Sequence, residues 1–168
     1  MNILVRFFCV LAVSFVMACG VPLHAESTTP EMLCLEPENR MQENHWFAEL
    51  ERYRHQPQTP QNKFAGLALE KVKIRYIMEA LRRSELTFIR NGVAYSGQRA
   101  AGHLRWKHRL RGRRIRTARE FIDKIATRSS LTGKLYMARA PDGQTYPFSD
   151  IIYNELRRIE QYINGKHP

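Results

Sequence analysis

The sequence predicts one compact, mainly helical α+β domain, with about four helices packed against a small β-hairpin. Three observations predict it. Apolar residues recur at helical spacing in separate stretches between Phe64 and Ile163. Asn91-Gly92 stands between two short strand-like runs, the pattern of a tight hairpin turn. Thr117-Ala118-Arg119-Glu120 has the form of a capping box, in which the threonine and the glutamate each satisfy a backbone NH of the other.

The elements follow in order. Glu38 to Arg54 reads as a helix, with Met41, Phe47, Leu50 and Tyr53 at loosely helical spacing. His55 to Lys63 carries Pro57 and Pro60 and no apolar residue, and reads as a linker. A long amphipathic helix then runs to about Ser84, with Leu67, Ile74, Ile77, Met78 and Leu81 inside and Glu70, Lys71, Lys73, Arg82 and Arg83 elsewhere. Thr87 to Arg90 and Val93 to Tyr95 form the hairpin. Ser96 is placed to cap a helix over Gly97 to Arg111, which Gly112 ends. The capping box opens a helix whose inner stripe is Ala118, Phe121, Ile122 and Ile125. Arg128 to Gly133 is a Ser/Thr-rich loop, Lys134 to Arg139 a short strand, and Pro141-Asp142-Gly143 a turn. Ser149 or Asp150 caps a last helix carrying Ile152, Leu156, Ile159 and Ile163, and Asn164-Gly165 closes it.

Before this domain lies an address. One arginine, an apolar run from Phe7 to Ala18, then Gly20, Pro22 and a small residue at Ala25 follow the layout of a secretory signal peptide. The expected organisation is a signal over residues 1–25, a flexible leader with a helix and a Pro-rich linker over 26–63, and one globular domain over 64–163. Cleavage after Ala25 would place the mature chain in the periplasm. The alternative is a lipoprotein anchored at Cys19, which Val16-Met17-Ala18-Cys19 fits less well. Cleavage after Ala25 also leaves Cys34 as a lone thiol, read as incidental.

The chain has 168 residues, 43% hydrophobic and 26% charged, the balance of a globular protein. Its net charge of +11 favours polyanionic partners: anionic lipid, envelope polymer or, less favoured, nucleic acid. No metal site, P-loop or nucleophile elbow is present in the sequence, and no cofactor is expected. The strongest charge signal is an acid-free basic run, in which Arg105, Arg109, Arg111, Arg113, Arg114 and Arg116 are candidate anion contacts. His103 is placed to face the domain. A second set of candidate binding residues, Arg90, Asn91, His103, Ser129 and Ser130, is expected to converge in one shallow region.

Four motifs in order carry a resemblance. They are Thr87-Phe88-Ile89-Arg90-Asn91-Gly92, Ala100-Ala101-x-His103-Leu104-Arg105-x-Lys107, Thr117-Ala118-x-x-Phe121-Ile122, and Ser129-Ser130-x-x-Gly133-Lys134-x-Tyr136. Together they resemble the YfeK-like family of small exported bacterial proteins, over about Phe64 to Glu160. The resemblance implies export and a single small domain, and it supplies no activity, substrate or catalytic residue. In the family pattern a small residue stands at the position of Thr127 and the 109–116 stretch is less basic, so the arginine cluster reads as particular to this chain. The expected function is a non-catalytic exported protein that contacts an anionic envelope component. Alternatives are a protein–protein interaction module and a small hydrolase using His103 with Ser129 or Ser130.

Overall fold

The computed structural model describes residues 33–35, 37–54, 63–111 and 114–165. The signal segment 1–25, the leader residues 26–32 and most of the Pro-rich linker, 55–62, lie outside them.

The centre of the fold is α2 (Lys63–Arg83). Leu69, Val72, Tyr76, Ile77, Ala80 and Leu81 are all buried, because α2 is contacted on several sides. Its neighbours are α1 (Phe47–Arg54), α3 (Gly97–Arg111), α4 (Ala118–Phe121) and α5 (Phe148–Ile163). A helix wrapped this way differs from the one-sided amphipathic helix expected. Lys73 is buried rather than solvated, and Leu67 is exposed.

α2 and α3 approach closely at one glycine. A Cβ at Gly97 would lie 2.2 Å from the Leu81 carbonyl oxygen, so only glycine lets α3 start against the end of α2. Ser96 caps α3 through a long bond from the Arg99 NH, 3.5 Å. The capping box is formed at α4: Thr117 Oγ1 accepts the Glu120 NH at 3.1 Å, and Glu120 Oε2 accepts the Thr117 NH. The helix does not continue regularly. It widens into a π turn over Ile122–Ala126, with Ile122 and Ile125 buried.

The hairpin, β1 (Thr87–Arg90) and β2 (Val93–Tyr95), turns at Asn91 (φ 53°) and Gly92 (φ 83°), as the Asn-Gly pair requires. It belongs to a larger sheet than expected. β3 (Met137–Arg139) pairs with β1, and β4 (Thr145–Pro147) pairs with β3, giving the antiparallel order β2-β1-β3-β4. β4 is three residues long, ends in proline and lies at the sheet edge, where a missing NH costs no ladder bond. Phe88, Ala138 and Tyr146 are cross-strand neighbours and all buried. Phe88 meets Phe148 of α5 edge-on, with ring centroids 5.0 Å apart.

Three further expectations are corrected. The segment Glu38–Arg54 is not one helix. A 3-10 turn (Glu38–Glu43) precedes α1, and buried Asn44 separates them by accepting the Trp46 NH and donating to the Tyr76 carbonyl. The described part of the leader is docked rather than loose. Leu35, Met41 and Leu50 join the hydrophobic core, the Leu35 NH donates to buried Glu155 at 3.1 Å, and Asn154 donates to the Leu33 carbonyl. Finally, neither Ser149 nor Asp150 caps α5, which starts at Phe148 directly after Pro147. Asn164 and Gly165 (φ 67°) close it as expected. No helix among the described residues is long and apolar enough to cross a membrane.

Candidate functional site

The sheet and α3 enclose a cleft of about 140 Å³. Its floor is apolar, built by Phe88, Leu104 and Phe148. Its polar wall comes from three elements: Arg90 at the end of β1, Arg99 and His103 on α3, and Tyr136 just before β3. None of the residues that line it is acidic.

The wall is tied together at His103. Arg90 Nη1 lies 3.2 Å from His103 Nδ1, and His103 Nε2 lies 3.2 Å from Tyr136 Oη. A guanidinium can only donate, so Nδ1 must accept. The imidazole is therefore the neutral Nε2–H tautomer, and it donates to the Tyr136 oxygen. The tyrosine's own proton is then left for another acceptor. Burial lowers the His103 pKa first, with Arg90 and Lys107 adding repulsion, which keeps the ring neutral near pH 7. Burial raises the Tyr136 pKa, so its hydroxyl stays a donor.

Behind this wall sits a further cation. Lys107, one turn beyond His103, is only 4% exposed. Its Nζ donates to the Ile125 carbonyl at 2.6 Å and the Arg128 carbonyl at 2.7 Å, and lies 5.2 Å from the Tyr136 ring centroid. Burial, then Arg111 and Arg90, lower its pKa to about 8. Neither Lys107 nor Arg90 has a carboxylate partner among the described residues. Arg90 Nε is buried and makes no hydrogen bond. Arg90 and Arg99 in the wall, Lys107 behind it and the tyrosine proton thus meet no negative charge at the cleft. Such a wall can hold an anion.

The sequence-named residues are distributed as follows. Arg90 and His103 meet directly. Asn91 forms the turn, and its Oδ1 accepts from Thr132 Oγ1 at 2.7 Å, which ties the hairpin to the 129–134 loop. Ser129 is buried in that loop: its carbonyl accepts the Gly133 NH, and its Oγ accepts the Thr132 NH. Ser130 is exposed. Neither serine is a partner of His103, whose two ring nitrogens are engaged by Arg90 and Tyr136, so the Ser–His pair of the hydrolase alternative is not formed. Arg105, Arg109, Arg111, Arg114 and Arg116 are exposed and make no ion pair among the described residues. Arg113 lies outside the described residues. Of these, Arg105 lines a separate groove with His45, Arg75 and His108. No group of three metal-ligating side chains occurs among the described residues.

Tyr136 and Lys107 are the site residues that sequence reasoning missed as such. Lys107 carried a signal: it stands four residues after His103 and three after Leu104, on the inward face of α3.

A family model described as a family of unknown function, DUF5329, matches residues 68–160. The uncharacterized protein YfeK of Salmonella typhimurium (strain LT2) is 46% identical over 70 residues, which are 41% of this chain and 58% of that protein. The chain thus spans less than two thirds of that relative's length. No solved structure matches. All the residues that line the cleft, from Phe88 to Phe148, fall inside the matched segment, and the chain belongs to this YfeK-like family of unknown function.

Proposed function

We propose that this is an exported, non-catalytic binding protein whose cleft grips the acidic head of a small anionic component of the cell envelope. The observation that carries this reading is Arg90. A buried guanidinium normally has a carboxylate or a full set of acceptors. Arg90 is half-buried, its Nε–H is buried without a partner, and the cleft it lines has no acid. A carboxylate or phosphate in the cleft would meet the Arg90 guanidinium and take the Tyr136 hydroxyl proton. The apolar floor then favours a short alkyl body behind the acidic head.

The test is titration with hexanoate and hexyl phosphate, followed through the His103 ring signals. Saturable binding is expected, with Arg90→Gln weakening it by about tenfold or more, the usual effect of losing a charged hydrogen bond. Hexanol should bind far less. Failure of both acids to bind at millimolar concentration, or equal binding by Arg90→Gln, would overturn the reading.

Export belongs to the same proposal and rests on the signal layout of residues 1–25. The mature chain then starts at Glu26 in the periplasm, with no lipid on it. Intact mass of the exported protein checks this. A diacylglyceryl mass on a chain starting at Cys19 would replace periplasmic solution with a membrane anchor.

A further inference from the structure

Charge and exposed apolar surface are segregated in this molecule. No Asp or Glu occurs from Leu86 to Arg119, nor from Lys124 to Pro141. These two acid-free stretches hold the hairpin, α3 and the 128–136 loop. They also hold five of the six large apolar side chains exposed among the described residues: Val93, Trp106, Leu110, Leu131 and Leu135, against Leu67 elsewhere. Leu131 is 88% exposed at the tip of its loop.

The contacts bring these elements to one end of the fold. Asn91 bonds Thr132 across the hairpin and the loop. Lys107 bonds the carbonyls of Ile125 and Arg128, which fastens the start of the loop to α3. Arg128 bridges to Leu135, closing the loop's base. Trp106 and Leu110 are four residues apart and so share a face of α3. The Trp106 ring lies 6.0 Å from that of His103, placing this face beside the cleft wall. Exposed Arg109, Arg111, Arg128 and Lys134 accompany the apolar groups.

We propose that this end of the protein docks on an anionic lipid bilayer, with Trp106, Leu110, Leu131 and Leu135 entering the interface and the surrounding arginines and lysine meeting head-group phosphates. Charge complementarity selects an anionic partner, since the two stretches carry cations and no carboxylate. The apolar side chains select a bilayer over a soluble polyanion. A polymer would leave them in water, whereas the interfacial region accepts tryptophan and leucine beside basic groups. The docking is peripheral, as no described helix could span a membrane. The proposal does not depend on the cleft reading, because it uses none of the cleft's polar wall.

The experiment is flotation of the mature chain with vesicles of phosphatidylglycerol and phosphatidylethanolamine, compared with pure phosphatidylcholine vesicles and with retention on heparin. The wild type should float with the anionic vesicles only, and Trp106 emission should shift to the blue in a Trp46→Phe background. Leu131→Ser with Leu135→Ser should weaken vesicle partition by about tenfold, the scale of withdrawing two leucines from an interface, without changing heparin retention. Arg90→Gln should float as the wild type does, which separates this proposal from the cleft. Absence of flotation would overturn it. So would unchanged flotation of the double-serine chain, which would mean a purely electrostatic surface, and so would a parallel loss on heparin, which would mean a polymer site.

Discussion

Two lysines are buried among the described residues, and their surroundings are opposite. Lys73 of α2 lies between Glu70 at 2.8 Å and Glu160 at 3.2 Å. Glu70 also accepts the Ala118 NH, and Glu160 also pairs with Arg119. The network links α2, α4 and α5, and every charge in it has a counter-charge. Lys107 of α3 has two carbonyls and no acid, and its neighbour Arg90 has a histidine nitrogen and an orphaned N–H. The first arrangement is what a fold does with a charge it must bury. The second ties Lys107 to two backbone carbonyls and leaves its positive charge, and that of Arg90, without a counter-charge next to a cleft.

The largest effect expected from breaking this comparison is at Lys107. Lys107→Met removes the donor from two carbonyls at the end of the π turn, and leaving such groups without a partner costs about 2 kcal/mol. Lys73→Met should cost less than about 1 kcal/mol, because Glu70 and Glu160 each keep a partner at a partly exposed site. Urea unfolding of both variants measures the difference. Equal losses would mean that the two lysines are structurally equivalent, and the contrast between the regions would fall.

The same contrast explains what the sequence could disclose. The Asn91-Gly92 turn and the Thr117–Glu120 box were readable because each is complete within four residues. Arg90 was readable as the charged end of an apolar strand, and His103 as a ring on the face of α3 that turns toward the domain. Their joining was not, since Tyr136 reaches His103 across 33 residues and Lys107 reaches its carbonyls across 18 and 21. Nothing local marks such pairs. The β1–β3 pairing was hidden for the same reason, and β4 because a three-residue edge strand ending in proline lacks the usual strand composition. Docking of Leu35 was hidden because its partner, buried Glu155, lies 120 residues away.

The smallest expected effect, and the most specific to the acid-free region, is on pH dependence. The groups facing His103 are Arg90 from β1, Tyr136 from the segment before β3, and Lys107 from its own helix, with no carboxylate among them. Its pKa in the folded chain therefore lies below the ordinary value of 6.5. As pH falls through 6.5, the unfolded chain takes up this proton before the folded one does, so stability declines until the folded ring also titrates. His108, half-buried against Phe121, contributes with the same sign. Glu79 and Glu120 contribute only below the ordinary carboxylate value of 4.5, because their partners hold both lower still. The interval between these values thus belongs to the histidines. An acid bound at Arg90 changes the local balance: its negative charge favours the imidazolium, so the decline should become shallower in saturating hexanoate. Thermal melts at about pH 7 and pH 5, on the wild type and His103→Gln, read both effects. The variant should lose less on acidification than the wild type, and hexanoate should narrow the gap between them. Identical slopes for the two chains would mean that the charge on His103 is not felt by the fold, and the neutral Arg90–His103–Tyr136 wall would be the wrong description of the cleft.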